Sequence, residues 1–309
     1  MRLLFLGAGG TGGYFGGRAA QAGADVTFLV RDARAQKLKA EGLRIESPNG
    51  DAVVHPKLVT ADTLDAAYDV VVLTCKAYDL SSAIEAIRPA VGPDTTILPI
   101  MNGVLQYDTL DAAFGASRVL GGLCHINATL GAEGQVRHLG KHAALTYGER
   151  TGEPRSARCT ALEAILTQAA FTSRLSSDIY QDIWEKYVFL TTLAAATCAM
   201  RGAVGQIVST DFGEGVLRSL LKECQQVAAA SGHAVRAEAN ESVLKVLTDR
   251  ESAMTASMFR DLRLGGQVEA DHIVGDMARR AIALQLDVPH LRMAYTHLQV
   301  YQAQRAVKA

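Results

Sequence analysis

A glycine-rich turn close to the start of the chain constrains the fold most. After the apolar run Leu3–Leu6, the sequence GAGGTGG places glycines at positions 7, 9 and 12 in the spacing Gly-x-Gly-x-x-Gly. Between a strand and a helix, such a turn lets the backbone approach a pyrophosphate, and the N-terminus of the helix faces the phosphates. A glycine-rich turn that binds nothing is the alternative. The residues expected to contact a dinucleotide here are Gly7, Gly9, Gly10, Thr11 and Gly12.

The remainder of the N-terminal half continues the alternation of strands and helices. Strands are predicted at Asp25–Val30, Asp69–Cys75 and Thr95–Ile100, and a helix is predicted over Ser81–Val91. Strands that alternate with helices are typical of an α/β fold with a doubly wound parallel sheet of the Rossmann type. The further strands predicted to close this domain are Arg118–Thr129, Val136–Leu139 and Ala144–Tyr147.

A change of pattern near residue 178 divides the chain. At 309 residues the chain is longer than one hydrophobic core usually serves, so two domains are the default. From Asp178 onward the sequence shows long helical periods and few strand signals. We therefore predict a nucleotide-binding Rossmann-type domain over residues 1–177 and an all-helical substrate and catalytic domain over residues 178–309.

Composition and charge exclude several classes of partner. The net charge of −1 offers no electrostatic attraction to nucleic acid or to an anionic membrane. The five cysteines are scattered and never stand in Cys-x-x-Cys spacing, which favours a reducing cytoplasm and argues against a zinc site. The first residues lead directly into the glycines and leave no room for a secretory signal. We expect a cytoplasmic protein with a small-molecule partner and no metal, and a homodimer is one assembly open to it.

The residue at the end of the second predicted strand bears on which dinucleotide is bound. NAD enzymes usually place an acidic residue there to bind the ribose 2′-hydroxyl. In this chain the segment VTFLVRDAR places Arg31 at the strand end and Arg34 a turn later. An arginine can grip a 2′-phosphate in a bidentate manner, so we predict NADPH as the cofactor. Because Asp32 is the next residue, NAD is the less favoured interpretation of the cofactor. A third interpretation is that Arg31 is a solvated surface residue that binds no cofactor.

Two more predicted strands end in polar residues. Lys76 follows DVVVLTC, and Asn102 follows TILPIM. In an open parallel sheet, ligands bind outside the carboxyl ends of the strands, so both residues are expected at the cofactor edge. A turn-forming or solvated role is as good an interpretation for either residue alone.

Lys186 stands at the start of an otherwise apolar run, WEKYVFLTTLAAATCAM, over residues 184–200. The 14 residues between Lys186 and Arg201 are fewer than the roughly 18–20 of a membrane-spanning helix, so a buried helix is predicted. The positions that share a helix face with Lys186 are apolar as far as Thr197. Two roles stay open: the lysine reaches solvent from a buried face, or it is a general acid that protonates the oxygen of a ketone.

Polar residues near the C-terminus complete the candidate site. Ser257 and Glu269 flank a Gly-Gly turn. Each also has an ordinary structural explanation: Ser257 is a hydroxyl on the surface of a helix, and Glu269 is an acid in the first turn of a helix. His272 and Asp276 lie four residues apart, as metal ligands on a helix do, but no third ligand is near in the sequence. We interpret these two as ordinary helix residues.

Together these segments resemble the ketopantoate reductases (2-dehydropantoate 2-reductases). The resemblance covers essentially the whole chain, in order, through GAGGTGG, CKA at Lys76, MNG at Asn102, WEK at Lys186 and SMFRDLRLGGQVEADHIVG from Ser257 to Gly275. It implies NADPH-dependent reduction of 2-dehydropantoate to (R)-pantoate, a step toward pantothenate and coenzyme A. By position it implies that Lys186 is the catalytic lysine, that Asn102 lies at the cofactor and substrate, and that Ser257 and Glu269 bind the substrate.

The chain departs from the family pattern beside its lysine. The family usually has asparagines four and eight residues after the lysine, where this chain has Leu190 and Ala194. Thr191 and Thr192 are rotated well over 90° away on a helix and cannot substitute. A more apolar 2-oxo acid is therefore an alternative substrate.

Two other classes of protein are alternatives. A 3-hydroxyacid or opine dehydrogenase would share the glycine turn and a helical second domain, but the segment from Ser257 to Gly275 argues against both. A non-catalytic NADPH-binding sensor would keep the glycines and Arg31 without needing Lys186 or Glu269.

Overall fold

The computed structural model describes residues 1–64 and 66–308 of the chain. The chain folds into two compact units. The first unit consists of Met1–Met101 and Gln106–Tyr180, and the second consists of Asn102–Leu105 and Gln181–Ala309. The boundary predicted after residue 177 lies close to this division, and the short segment 102–105 belongs to the second unit rather than the first.

Strands and helices alternate through the first unit. Its elements are β1 (Arg2–Leu6), α1 (Gly10–Gln21), β2 (Asp25–Leu29), α2 (Asp32–Glu41), β3 (Leu43–Glu46), β4 (Ala52–Val54), β5 (Lys57–Val59), β6 (Val70–Leu73), α3 (Leu80–Ile87), β7 (Thr96–Pro99), α4 (Gln106–Phe114), β8 (Gly121–Leu130), β9 (Val136–Gly148), α5 (Ala157–Leu166) and β10 (Thr172–Leu175).

Five parallel strands form the sheet that the glycine turn predicts. Their order is β5-β2-β1-β6-β7, so the chain winds outward from β1 in both directions. The run Val70–Leu73 is buried throughout, as expected for a parallel strand covered on both faces. The prediction of a doubly wound Rossmann-type sheet is confirmed. The point where the winding reverses, at the carboxyl ends of β1 and its neighbours, is where such sheets bind ligands.

Strands from before and after the parallel sheet's last strand form a second, mixed sheet. Its order is β10-β9-β3-β4, and β8 pairs with β9 in the antiparallel direction. The two segments predicted at 136–139 and 144–147 are one continuous strand, β9, because β8 pairs along it and a register shift between Ile126 and Ala128 takes up the irregularity. Strands β3, β4 and β10, and β5 of the parallel sheet, were not predicted: each is at most four residues long, and their pairing depends on tertiary contacts.

All elements of the second unit in the part of the chain described are helical, as predicted. They are α6 (Ile179–Met200), α7 (Val204–Val208), α8 (Gly213–Ala230), α9 (Ala237–Leu247), α10 (Ser257–Arg263), a π-helical turn (Asp271–Gly275), α11 (Asp276–Ala283) and α12 (Pro289–Lys308). Residues 191–198 of α6 are all buried, which accounts for the apolar composition of this helix on every side. Among residues 1–64 and 66–308, no helix is both long enough and apolar enough to cross a membrane.

Candidate active site

The glycine turn between β1 and α1 has the geometry of a phosphate cradle. Gly7 has φ +85°, in the left-handed region that side chains disfavour. A Cβ on Gly12 would lie 2.5 Å from Thr74 Oγ1 and 2.7 Å from the Gly7 carbonyl oxygen, so this position also requires glycine. Helix α1 follows Gly9, and no side chain caps this helix end. Its first N–H groups are therefore suited to an anion, and a Cβ on Gly9 would meet nothing within 4 Å, so the approach is open.

The two arginines after β2 have different roles in the structure. Arg31 precedes the first residue of α2 and is exposed, and its guanidinium makes no hydrogen bond or ion pair with any residue the structure describes. Arg34 Nη2 donates to the Ala8 carbonyl oxygen in the glycine turn at 3.0 Å, and burial lowers the pKa of its guanidinium. Arg34 thus supports the turn, whereas Arg31 is available to a 2′-phosphate. The sequence placed both near the cofactor, but it held no signal for the bond to Ala8.

Lys76 lies at the same edge of the parallel sheet. It follows β6, is half-buried, and immediately precedes a short 3-10 turn over Ala77–Asp79. The Thr74 hydroxyl donates to the Leu6 carbonyl oxygen at 3.2 Å, which ties the carboxyl ends of β1 and β6 together. The structure therefore brings the glycine turn and the β6 end that carries Lys76 to one side of the first unit.

The second unit contains the pair formed by Lys186 and Asn102. Lys186 Nζ donates to Asn102 Oδ1 at 3.1 Å, and both residues are half-buried. Lys186 lies in the first half of α6, and Asn102 belongs to the short segment 102–105 of this unit. The sequence placed Asn102 on the cofactor side, and its bond to the lysine was not foreseen.

Ser257 and Glu269 lie on either side of the Gly-Gly turn of the second unit. Ser257 is half-buried and is the first residue of α10, and the N–H of the preceding Ala256 donates to Thr197 Oγ1 at 3.4 Å. Glu269 is only 7% exposed and lies just before the π-helical turn rather than inside a helix. The start of α10 is thus bonded, through the residue before Ser257, to Thr197 at the far end of the helix face that begins at Lys186.

The two residues with metal-like spacing are buried in a polar network instead. His272 is in the π-helical turn, not in a regular α-helix as we interpreted it, and Asp276 begins α11. The Tyr187 hydroxyl lies 2.8 Å from the Ile273 carbonyl oxygen and 2.9 Å from Asp276 Oδ2, and it donates toward both. Burial, reinforced by the Asp276 charge, raises the pKa of Tyr187 well above its usual value. No group of three or more potential metal ligands occurs within residues 1–64 and 66–308.

Two family models account for most of the chain. The model described as "Ketopantoate reductase PanE/ApbA" matches residues 3–152, and "Ketopantoate reductase PanE/ApbA C terminal" matches residues 178–302. The chain belongs to the ketopantoate reductase family. It is therefore an oxidoreductase of this family, and the resemblance of its motifs is confirmed.

Individual relatives of the ketopantoate reductase family extend this comparison. The uncharacterized oxidoreductase YkpB of Bacillus subtilis is 36% identical over 305 residues, covering 99% of this chain and 100% of YkpB. The crystal structure of a 2-dehydropantoate 2-reductase from Methylococcus capsulatus has a TM-score of 0.87 at 27% identity, covering 99% of this chain and 98% of that one. A D-mandelate dehydrogenase solved with NADH and anilino(oxo)acetate has a TM-score of 0.88 at 20% identity, over 99% of this chain and 100% of that one, which is a likeness of fold.

Proposed function

We propose that the protein uses NADPH to reduce a 2-oxo acid to the 2-hydroxy acid, and that the substrate is 2-dehydropantoate, which yields (R)-pantoate. The 3.1 Å hydrogen bond from Lys186 Nζ to Asn102 Oδ1 carries this proposal. A lysine that merely covered apolar surface would extend its ammonium into water. Lys186 instead is half-buried and directs its ammonium at an amide oxygen, as a positioned proton donor does.

Each residue of the candidate site has its own role in the reduction of the carbonyl group. When bound, the dihydronicotinamide supplies a hydride to the carbonyl carbon of the substrate. Lys186 donates a proton to the carbonyl oxygen, which becomes the hydroxyl, and its amine then regains a proton from solvent. Asn102 orients the ammonium. Ser257 and Glu269 bind the polar groups of the substrate, and the Glu269 carboxylate, as an acceptor, suits a hydroxyl such as that of 2-dehydropantoate.

The cofactor preference in this proposal rests on the first unit. The glycine turn would hold the pyrophosphate on the backbone N–H groups at the start of α1. Arg31 is exposed and makes no ion pair among the described residues, so it can form a bidentate contact with a 2′-phosphate. These features support NADPH over NADH.

A more apolar 2-oxo acid is the second candidate substrate. Leu190 is half-buried and Ala194 is fully buried on the face of α6 that Lys186 begins. Neither side chain can hydrogen-bond a polar substrate group. These two side chains therefore favour a 2-oxo acid that carries only a hydrocarbon group beyond its keto carbon.

The experiment compares 2-dehydropantoate with trimethylpyruvate, which differs only by lacking the hydroxyl. NADPH oxidation by the purified protein is followed for both acids, and kcat/KM is compared. A site built to bind the hydroxyl should reject trimethylpyruvate by orders of magnitude, whereas an apolar pocket discriminates by about 100-fold at most. A preference for trimethylpyruvate would support the second candidate. NADPH binding without turnover of any 2-oxo acid would contradict the proposal and support a non-catalytic sensor.

A further inference from the structure

A buried histidine lies against the segment that carries Asn102. His272 is 9% exposed, and its ring edge faces Gly103: a Cβ on Gly103 would lie 3.1 Å from Cδ2 and 3.3 Å from Nε2 of the ring. Gly103 also has φ +87°, so both its conformation and the approach of the imidazole require glycine there. The ring hydrogen-bonds to the backbone of Asn102. The imidazole therefore lies against the backbone at Asn102 and Gly103.

The environment of His272 keeps its ring neutral and makes it a donor. Burial lowers the pKa of His272, and Arg279 acts in the same direction. The charges of Glu269 and Asp276 and the hydrogen bond to Asn102 oppose this lowering. A bond that favours the protonated ring implies an acceptor, which on a backbone is the carbonyl oxygen. The imidazole therefore donates to the backbone at Asn102.

The π-helical turn that holds His272 is fastened to the same stretch of α6 that holds Lys186. The single hydroxyl proton of Tyr187, the residue after Lys186, is shared between the Ile273 carbonyl oxygen inside the turn and the Asp276 carboxylate just after it. Arg280 Nε donates to Asp276 Oδ2 at 2.8 Å, so the carboxylate of Asp276 is held from two sides. A π-helical turn adds one residue to a helical turn and changes which side chains share a face. Here the bonds of Tyr187 fix the position of that turn relative to Lys186.

We propose that His272 is a positioning residue whose ring holds the Asn102 backbone, so that Asn102 Oδ1 stays in reach of the Lys186 ammonium. The path runs from the imidazole to the Asn102 carbonyl, along one residue to its side-chain amide, and from there over 3.1 Å to Nζ of Lys186. This inference rests on the proposed role of Lys186 as the proton donor. Because the effect passes through Asn102, His272 needs no contact with the substrate.

The kinetic test compares two substitutions at the same position. His272→Phe keeps a ring but removes the donor, and His272→Gln replaces the ring with a side chain that keeps an N–H donor. Misplacing a catalytic group by 1 Å can cost about 100-fold, so we expect His272→Phe to lower kcat by about 10- to 100-fold with the KM for NADPH unchanged. His272→Gln should recover most of that loss. An equal loss in both variants would overturn the proposal, because it would show that only the volume of the side chain matters.

His297 provides the matched control in the same unit. Burial also lowers the pKa of His297, and its ring hydrogen-bonds to the backbone of Cys198, near the other end of α6. His297→Phe therefore removes a half-buried imidazole that also bonds to the backbone, at a place away from Lys186. We expect kcat to stay within about twofold of the wild type. A loss as large as that of His272→Phe would show a general effect of removing a histidine that bonds to the backbone of this unit, and it would overturn the proposal.

A second measurement does not depend on turnover. An amine-reactive reagent, trinitrobenzenesulfonate, is applied to the full chain, and modification of each lysine is followed by peptide mass spectrometry. The bond to Asn102 holds the Lys186 amine in place, so its loss leaves the amine freer to meet the reagent. We expect His272→Phe to speed the modification of Lys186 by about 2- to 10-fold, as for the loss of one hydrogen bond, and His272→Gln to leave it near the wild-type rate.

The exposed Lys222 on α8 controls for the reactivity of the reagent in the same experiment, and the melting temperature of each variant reports general destabilisation. Faster modification of both lysines, or no change at Lys186, would overturn the inference. If the wild type reduces no 2-oxo acid, the proposed function fails, and the modification of Lys186 still decides whether His272 positions the pair.

Discussion

Removing the Lys186 ammonium, the Asn102 amide, or both tests whether these side chains act together. One well-placed general acid contributes about 10²- to 10⁴-fold to the rate, so Lys186→Ala should lower kcat by that factor. Asn102 Oδ1 accepts from a charged donor at 3.1 Å. Hydrogen bonds to charged groups contribute about 1.5–3 kcal/mol, so Asn102→Ala should cost about 10- to 150-fold. Since Asn102 acts by orienting the ammonium, the double variant should be no slower than Lys186→Ala alone.

The assay is steady-state NADPH oxidation with the preferred 2-oxo acid, with kcat and both KM values measured separately. Lys186→Arg should not restore activity, because a guanidinium stays protonated at the pH of the assay and does not deliver the proton. Asn49→Ala is the control for loss of an asparagine: its Nδ2 donates to the Lys141 carbonyl oxygen at 2.9 Å on the surface of the first unit. This variant should keep the wild-type kcat.

Two results would refute the reasoning. If the losses of the single variants multiply in the double variant, Lys186 and Asn102 contribute independently and the bond between them does not matter to the reaction. If Lys186→Ala turns over any accepted 2-oxo acid at near the wild-type rate, Lys186 is a surface residue with an apolar stem, and the proposed mechanism is wrong.

Three further predictions concern the cofactor, the backbone and pH. Arg31→Ala should raise the KM for NADPH about 10- to 150-fold and leave that for NADH little changed; equal losses with both cofactors would show that the arginine only shapes the fold. Gln285 has φ +58° just after α11, so Gln285→Gly should raise the free energy of unfolding by about 0.5–1 kcal/mol in denaturant titrations, whereas Ala283→Gly inside the helix should lower it. Burial lowers the pKa values of His272 and His297, so the folded chain binds fewer protons than the unfolded chain. The stability that these two residues contribute is therefore present above about pH 6.5 and is lost as the pH falls through their pKa values in the folded chain. The melting temperature of a variant with His272→Gln and His297→Phe should therefore fall less than that of the wild type between about pH 6.5 and about pH 5.

The parallel sheet and its cofactor turn could be predicted from the sequence because their signals are local. Gly7 needs a backbone conformation that glycine tolerates best, and the buried run Val70–Leu73 shows the continuous apolar composition of a central parallel strand. The same holds for α6, where an apolar run of helical length after Lys186 predicted a buried helix. In each case the information lies within a few residues, since backbone preference and the period of burial are properties of neighbouring positions.

The second sheet and the bonds of the candidate site depended on tertiary structure. The short strands β3 and β4 gain their hydrogen bonds only by pairing with each other and with β9, so no local pattern marks them. Arg34 shares its segment with Arg31, yet only the packing of α2 directs it to Ala8 in the glycine turn.

The sequence by itself determined which groups could do chemistry: a glycine turn for a phosphate, Arg31 at a strand end, and one lysine on an apolar helix. Only the tertiary structure decided that Asn102 accepts a hydrogen bond from Lys186, 84 positions along the chain, and that His272 holds the backbone of Asn102. The physical reason is that a hydrogen bond requires its atoms to meet within about 3 Å, at a suitable angle. Side-chain identity and spacing restrict the candidates for such a contact, and the packing of distant segments selects among them.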